Sequence, residues 1–271
     1  MNQSFSEFER AGWEDTETVA GYAKSFALIT RQSIPTLLDD ADVQSGFKVL
    51  DVATGPGYVA AAASERGADA TGIDFAAAQI KLARDQHPSV RFEQADAEAL
   101  PFESDTFDAV VSAFGMCHLP NPDQALREAH RVLKRGGRIA FSVWDMPERA
   151  IGIGAVFAAI QKYGSMDIGL PAGPNFFLFS DPAQSINALR AAGFDAPKVR
   201  QAYQVLRLTE PDQLFDMFAE SSVRAGSTLR AQSETAQNAI RASLREKVSE
   251  YKSGTHFEIP MPAIVASAIK R

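Results

Sequence analysis

The chain has 271 residues, 45% of them hydrophobic and 23% charged, enough for one sizeable core or a core with insertions. Its net charge of −7 and pI near 5.2 lack the basic balance of a nucleic-acid binder, so neither DNA nor RNA is expected as a partner. A single cysteine, Cys117, excludes an internal disulfide, and no uninterrupted apolar run approaches the ~20 residues of a membrane span. The acidic N-terminus has no apolar run and is not read as a signal peptide, which leads to the expectation of a soluble, cytoplasmic protein.

Residues 1–46 are polar with scattered aromatics and read as helical, with Tyr22, Phe26 and Ile29 at i, i+4, i+7 on one face. The period then changes. "FKVLDVA" (47–53) reads as a buried strand, "YVAAAASER" as a helix stopped by Gly67, and "ADATGID" (68–74) as a second strand. "AAAQIKLARDQ" is a helix, "VRFEQAD" (90–96) a third strand and "TFDAVVSAFGM" (106–116) a fourth. "PDQALREAHRVLKRGG" is a helix with Asp123 near its start and Gly136 as its stop, followed by the strand "GRIAFSVW" (137–144). This alternation argues a parallel sheet with helices on both faces.

Beyond Trp144 a short apolar helix and a Gly/Pro loop precede a helix with Asp181 as N-cap and Pro182 at its first position. "PKVRQAYQVLRL" reads as one strand, "PDQLFDMFAESSVRAG" and "SETAQNAIRASLREKVSEYKSG" as two helices, and 255–269 as one closing strand.

The first strand leads into Gly55-Pro56-Gly57-Tyr58-Val59-Ala60, which fits the dinucleotide fingerprint G-x-G-x-x-A. In open α/β sheets the ligand lies beyond the carboxyl ends of the strands, and Gly55 and Gly57 let the backbone approach it. Yet Asp51 stands four residues before Gly55. Two like charges near 4 Å repel by about 1 kcal/mol in water and several times that at a protein surface, so a carboxylate there disfavours a pyrophosphate. It suits a ligand cationic at that end, such as S-adenosylmethionine. Asp74, closing the second strand, accepts from ribose hydroxyls in either kind of site. Asp96 is placed to accept from an adenine amine, with the Ala97 N–H beside it for a ring nitrogen.

"VLDVATGPG", "TGIDFAAAQIKLAR" and "FEQADAEALPFESDTFDAVVSAFGMCHLPNPDQALREAHRVLKRGGRIAF" carry a resemblance. The stretch 49–144 resembles the class I S-adenosylmethionine-dependent methyltransferases, in particular the branch similar to ubiquinone/menaquinone C-methyltransferases and many small-molecule methyltransferases. The resemblance implies an α/β, Rossmann-like, seven-stranded, mostly parallel sheet with helices on both faces. Its last strand runs antiparallel, a place given to 255–269. Residues 1–46 would cover the cofactor. Residues 47–271 would be the methyltransferase domain, with core 47–206 and 255–271 and insertions at about 145–180 and 208–254. Asp51, Ala53, Thr54, Gly55 and Gly57 would hold the methionine end, and Asp74 the ribose. Phe75 and Ile80 would pack near the adenine, read by Asp96 and Ala97. Phe114 and Gly115 would line the methyl-donor side. Two positions depart from the family pattern D-x-G-x-G-x-G and its His-His pair: Ala53 stands at the first glycine, and Cys117-His118 follows the fourth strand.

The implied reaction is direct methyl transfer to a small-molecule acceptor, without a metal, since no zinc-type Cys/His spacing is present. Candidate bases are His118 and Tyr22, the latter only because N-terminal helices of this family commonly cover the cofactor. An apolar or aromatic acceptor is suggested by Trp144, Met146, Phe157, Phe176, Phe177 and Phe179. The three phenylalanines equally suit anchoring an insertion. Asp51 as a turn acceptor, His118 as a packing or loop-anchoring residue, a structural Asp108, His87 as a solvated helix end, a structural or exposed His130 and a His256 with no visible partner are the plainer alternatives. The rival functions are a nicotinamide-dependent oxidoreductase, a non-catalytic S-adenosylmethionine binder and an aminopropyl transferase. The acceptor atom and the oligomeric state stay open.

Overall fold

The computed structural model describes residues 3–271, which form two compact units. The larger comprises Thr30–Trp144, Gly173–Ala202 and Ala263–Arg271. Its first helix, α4 (Ile34–Asp40), follows three helices of the smaller unit, α1 (Phe5–Glu14), α2 (Thr16–Lys24) and α3 (Phe26–Thr30, its last residue in the larger unit). Then come β1 (Lys48–Val52), α5 (Tyr58–Glu65), β2 (Asp69–Asp74), α6 (Ala77–Gln86), β3 (Arg91–Gln94), β4 (Phe107–Ala113), α7 (Pro122–Val132) and β5 (Leu133–Trp144). Helix α9 (Pro182–Ala191), strand β6 (Asp195–Ala202) and strand β10 (Ala263–Ile269) complete this unit.

Seven strands form one sheet in the order β3-β2-β1-β4-β5-β10-β6. All neighbours run parallel except β10, which is antiparallel to β5 and β6. Strand order reverses between β1 and β4, the place where ligands bind in open α/β sheets. The central strands are apolar runs because both faces are covered. Leu50, Val52, Ile73, Val110 and Phe141 bury one face, in one core with Leu126, Ala129 and Val132 of α7 and Leu189 of α9. The opposite face carries Val49, Asp51 and their register partners Ala109, Val111 and Gly72.

Two elements of this unit differ from expectation. Helix α7 ends at Val132, because Leu133 turns extended (ψ 140°) and pairs with Phe107 at the start of β5. Gly136 is therefore not a helix stop. It has φ +82°, within the irregular stretch where the register jumps from Phe107↔Leu133 to Ala109↔Arg138, and its N–H bonds Lys270 O at 2.7 Å. The expected strand 197–208 is two strands, of which only β6 belongs here.

The smaller unit contains residues through Ile29, Asp145–Ala172 and Tyr203–Pro262. Besides α1 to α3 it holds α8 (Ile151–Tyr163), β7 (Val205–Leu208), α10 (Gln213–Ser221), α11 (Arg224–Arg230), α12 (Glu234–Ser249), β8 (Lys252–Ser253) and β9 (His256–Pro260). The last three strands make a small antiparallel sheet, β7-β9-β8. The expected closing strand 255–269 is thus β9 and β10, in different sheets. Interruptions of the strands at Gln204 and Met261 cause both splits. Buried Gln204 donates its side-chain amide N–H to Ile29 O (2.8 Å) and accepts from Met261 N on its backbone carbonyl (2.9 Å), while Pro262 has no N–H to donate. The expected helix 211–226 is likewise two, α10 and α11. The N-terminal helix breaks at Ser25 (φ −124°, ψ −80°). Among the described residues no helix is long and apolar enough to cross a membrane.

Candidate cofactor and active site

Asp51 sits one residue from the end of β1, between Gly72 and Val111 in register, and is 0% exposed. Its Oδ2 accepts from the Thr54 hydroxyl at 2.5 Å and from Ala60 N at 3.0 Å. Ala60 is the third residue of α5, whose N-cap, Gly57, has no side chain to offer, so Asp51 caps this helix from the preceding strand. Gly72 makes the arrangement possible: a Cβ there would lie 2.6 Å from Thr54 Oγ1. The other oxygen, Oδ1, is buried with no hydrogen-bond partner. Burial pushes the carboxyl up to about 7, against the Thr54 and Ala60 hydrogen bonds and helped by the charge of Asp74. Asp51 anchors the turn through Thr54 and the start of α5 through Ala60.

Asp74 ends β2, buried, and clasps the same turn. Its Oδ2 accepts from Gly55 N at 2.9 Å and its Oδ1 from Ala76 N at 3.0 Å. The turn itself is tight: Ala53, Gly55 and Gly57 have φ of +54°, +52° and +86°. For Ala53 that region costs roughly 1–2 kcal/mol, the consequence of an alanine at the first glycine of the pattern. Phe75 is half-buried, with its carbonyl accepting from Gln94 Nε2 at 2.9 Å, and Ile80 is buried on α6. Asp96 lies two residues past β3, exposed, its Oδ1 held by Glu98 N at 2.8 Å. Ala97 is buried in the core beside Val52 and Ile73.

The turn after β4 meets the turn after β1. Phe114 takes φ +56°, an unusual strain for a bulky side chain, and its ring packs at 4.4 Å on Trp144. A Cβ on Gly115 would fall 2.6 Å from the Ala53 methyl and 2.8 Å from Ser112 Oγ. His118 closes the short 3-10 turn Met116–His118, half-buried, with its ring edge-on to Phe176 at 6.0 Å. Phe179, by contrast, is a core anchor on Phe141 (5.3 Å). Tyr22 belongs to the smaller unit, packed between Trp13 (5.6 Å) and Phe26 (6.3 Å).

The remaining candidates are structural. Asp108 accepts from Lys48 N and Lys134 Nζ (2.8 and 2.7 Å), His130 packs on Phe194, and His256 pairs with Glu258. His87, expected in solvent at a helix end, instead packs its ring edge-on to Tyr58, with Nε2 buried. One residue escaped the sequence reading altogether: Gln79 on α6, buried beneath the glycine turn.

These features fit S-adenosylmethionine. A buried carboxyl with an unpartnered oxygen, raised by burial to about 7, is one that a cationic ligand end would ionise. Residues 50–141 match the family model of a methyltransferase domain. The matched stretch includes Asp51, the glycine turn and Asp74. A ubiquinone/menaquinone biosynthesis C-methyltransferase, UbiE, of Agrobacterium fabrum is 39% identical over 168 residues, covering 55% of this chain and 64% of that relative. The chain spans about half the length of other curated relatives it matches. Among solved structures, the chain is similar in fold to Haemonchus contortus phosphoethanolamine N-methyltransferase 2 in complex with phosphomonomethylethanolamine and S-adenosylhomocysteine. That likeness has TM-score 0.60 at 18% identity, over 99% of this chain and 60% of that one. The [4+2]-cyclase SpnF is also similar, with TM-score 0.52 at 20% identity, over 89% and 80%. One fold thus serves more than one chemistry, and the site must carry the functional argument.

Proposed function

We propose that the protein is an enzyme that transfers a methyl group from S-adenosylmethionine to a small apolar or aromatic acceptor, at carbon, as the name of the UbiE relative suggests. The observation that carries the reading is the buried, half-partnered Asp51 behind a glycine turn in a methyltransferase domain. The turn Ala53–Gly57 takes the methionine end, with Thr54 locked to Asp51 to hold its shape. Asp74 takes the ribose. Phe75, Ile80 and Ala97 take the adenine and Asp96 its amine. Phe114 and Gly115 border the methyl-donor side. When bound, S-adenosylmethionine supplies a methyl group on a positively charged sulfur, open to displacement by a nucleophile. The chain's part is to align the acceptor and exclude water, which can provide much of the acceleration. Phe114, Trp144 and Phe176 support an apolar acceptor next to this end of the sheet. Cys117, buried and free, goes with a reducing, cytoplasmic setting.

His118 is the proposed base where the acceptor must lose a proton, and Tyr22 its alternative. His118→Asn is expected to lower kcat by a hundredfold or so, to remove the acid limb of the rate profile, and to leave S-adenosylhomocysteine affinity unchanged. Unchanged kcat would make His118 a loop anchor and pass the role to Tyr22, read in the same assay on Tyr22→Phe. The test of the function itself is transfer of a labelled methyl from S-adenosylmethionine to a panel of phenolic and quinol-type acceptors. A labelled product, one methylene heavier by mass, is expected. No transfer to any acceptor by a protein that binds the donor would favour a non-catalytic binder or another reaction on this fold.

A further inference from the structure

We propose that Arg224 is a positioning residue for the methyl acceptor, holding in place the segment that sets Phe176 beside His118. The proposal rests on the methyl-transfer reading above and adds a residue to it. Arg224 opens α11, half-buried, and its Nη2 donates to Pro171 O at 2.9 Å. Its Nη1 is buried without a hydrogen-bond partner, and among the described residues it forms no ion pair. A guanidinium is costly to bury unless it is paired, and an apolar side chain in its place is often neutral or stabilising for a fold. Packing therefore does not account for an arginine here. Nor does a ligand on Nη1, since that nitrogen is enclosed by protein. What accounts for it is the side-chain bond it makes, a charge-assisted hydrogen bond to a backbone carbonyl in a loop.

That loop is held at its other end as well. Gln232, just past α11, accepts from Ser165 N on its Oε1 and donates from its Nε2 to Ser165 O, both at 2.8 Å. The stretch 165–171 is thus pinned at both ends by side chains from α11 and the residues after it, while Met166 between them stays 52% exposed. Only three residues, Ala172, Gly173 and Pro174, separate Pro171 from Asn175. Asn175 begins the next ordered turn: its Oδ1 accepts from Phe177 N and its backbone O from Leu178 N, both at 3.0 Å. This turn carries Phe176, whose ring is edge-on to His118 at 6.0 Å. Pro174 fixes its own φ, which narrows the freedom of so short a link. A shift at Pro171 therefore passes along the chain to Phe176, the ring proposed to border the acceptor. Arg224 acts through that ring, without itself touching the acceptor.

The test compares the whole protein, wild type and Arg224→Met, which keeps a long side chain and removes the donor. The acceptor used is the one methylated fastest in the phenolic and quinol-type panel. We expect Arg224→Met to raise KM for that acceptor about tenfold, with kcat within about threefold of wild type and S-adenosylhomocysteine affinity unchanged. Hydrogen exchange at the amides of Phe177 and Leu178 should quicken about tenfold, with or without ligand. Phe176→Ala should raise KM to a similar degree, and adding Arg224→Met to it should raise KM little further, because the arginine acts through that ring. Arg224→Lys, a point charge on a flexible stem, should fall between wild type and Arg224→Met, and it serves if the methionine variant does not fold. Unchanged KM, KM losses that multiply in the double variant, or an equal loss of S-adenosylhomocysteine affinity would overturn the proposal and leave Arg224 a packing residue. No transfer by the wild type would instead bring down the methyl-transfer reading and the acceptor role with it, while the exchange rates show separately whether Arg224 holds the segment.

Discussion

Asp51→Asn is expected to gain stability relative to the wild type as pH rises, and to lose affinity for S-adenosylmethionine. The native carboxyl is raised from an unfolded value of 3.8 to about 7, chiefly by burial. A group raised on folding holds its proton more tightly in the native state. The stability it contributes is complete below pH 3.8 and is lost as pH climbs through 7. Over that window the loss is roughly 4 kcal/mol by the linkage relation, a large part of a typical domain's stability. Asparagine keeps an oxygen for Thr54 and Ala60 and does not ionise. Denaturant unfolding at pH 5 and pH 8 should therefore show the variant gaining a few kcal/mol on the wild type between the two. A difference that is the same at both pH values would mean that Asp51 does not titrate there. The ligand reports the same charge from the other side. A cationic ligand end lowers the carboxyl, so binding near pH 7 should release a fraction of a proton and tighten from pH 6 to pH 8. Titrations in buffers of different ionisation enthalpy measure that release, and heats that ignore the buffer would contradict it.

Gly115→Ala should destabilise the protein by about 1–3 kcal/mol, and Ala53→Gly should restore much of the loss. A methyl on residue 115 would fall 2.6 Å from the methyl of Ala53, closer than carbon atoms approach. Removing the Ala53 methyl clears that contact and relieves a side chain held at φ +54°. Ser112 Oγ, 2.8 Å from where the new methyl would sit, keeps the rescue incomplete. The double-mutant cycle should give a coupling of about 1 kcal/mol or more. Additive effects of the two substitutions would show that the turns after β1 and β4 do not press on one another. Because both turns border the proposed cofactor site, Gly115→Ala should also weaken S-adenosylhomocysteine binding.

The central strands were readable because burial on both faces makes each an apolar run ended by Gly or Asp, as in "VLDVATGPG". The splits at 203–204 and 261–262 were not. Gln204 and Met261 are ordinary residues in a strand pattern, and what breaks the chain there is a hydrogen bond from Gln204 to Ile29, far away in sequence. The same holds at α7, where the pairing of Leu133 with Phe107 overrides a basic stretch with good helix propensity. At the site, the charge of Asp51 was legible, and its complete burial was not. That burial depends on Gly72 and Val111, which become its neighbours only once the strands pair. Gly115 reads as a turn glycine, yet its φ is −79° and its reason is the Ala53 methyl. Gln79 looks like one more polar residue on a helix, and only its position beneath Gly55 marks it.

The most direct test of the central claim is calorimetric titration of the wild-type protein with S-adenosylhomocysteine and, separately, with NAD. The buried carboxyl of Asp51 and the Asp74 carboxylate at Gly55 predict saturable binding of the adenosyl ligand and none of the dinucleotide. Binding of NAD, or of neither, would contradict the assignment of this turn.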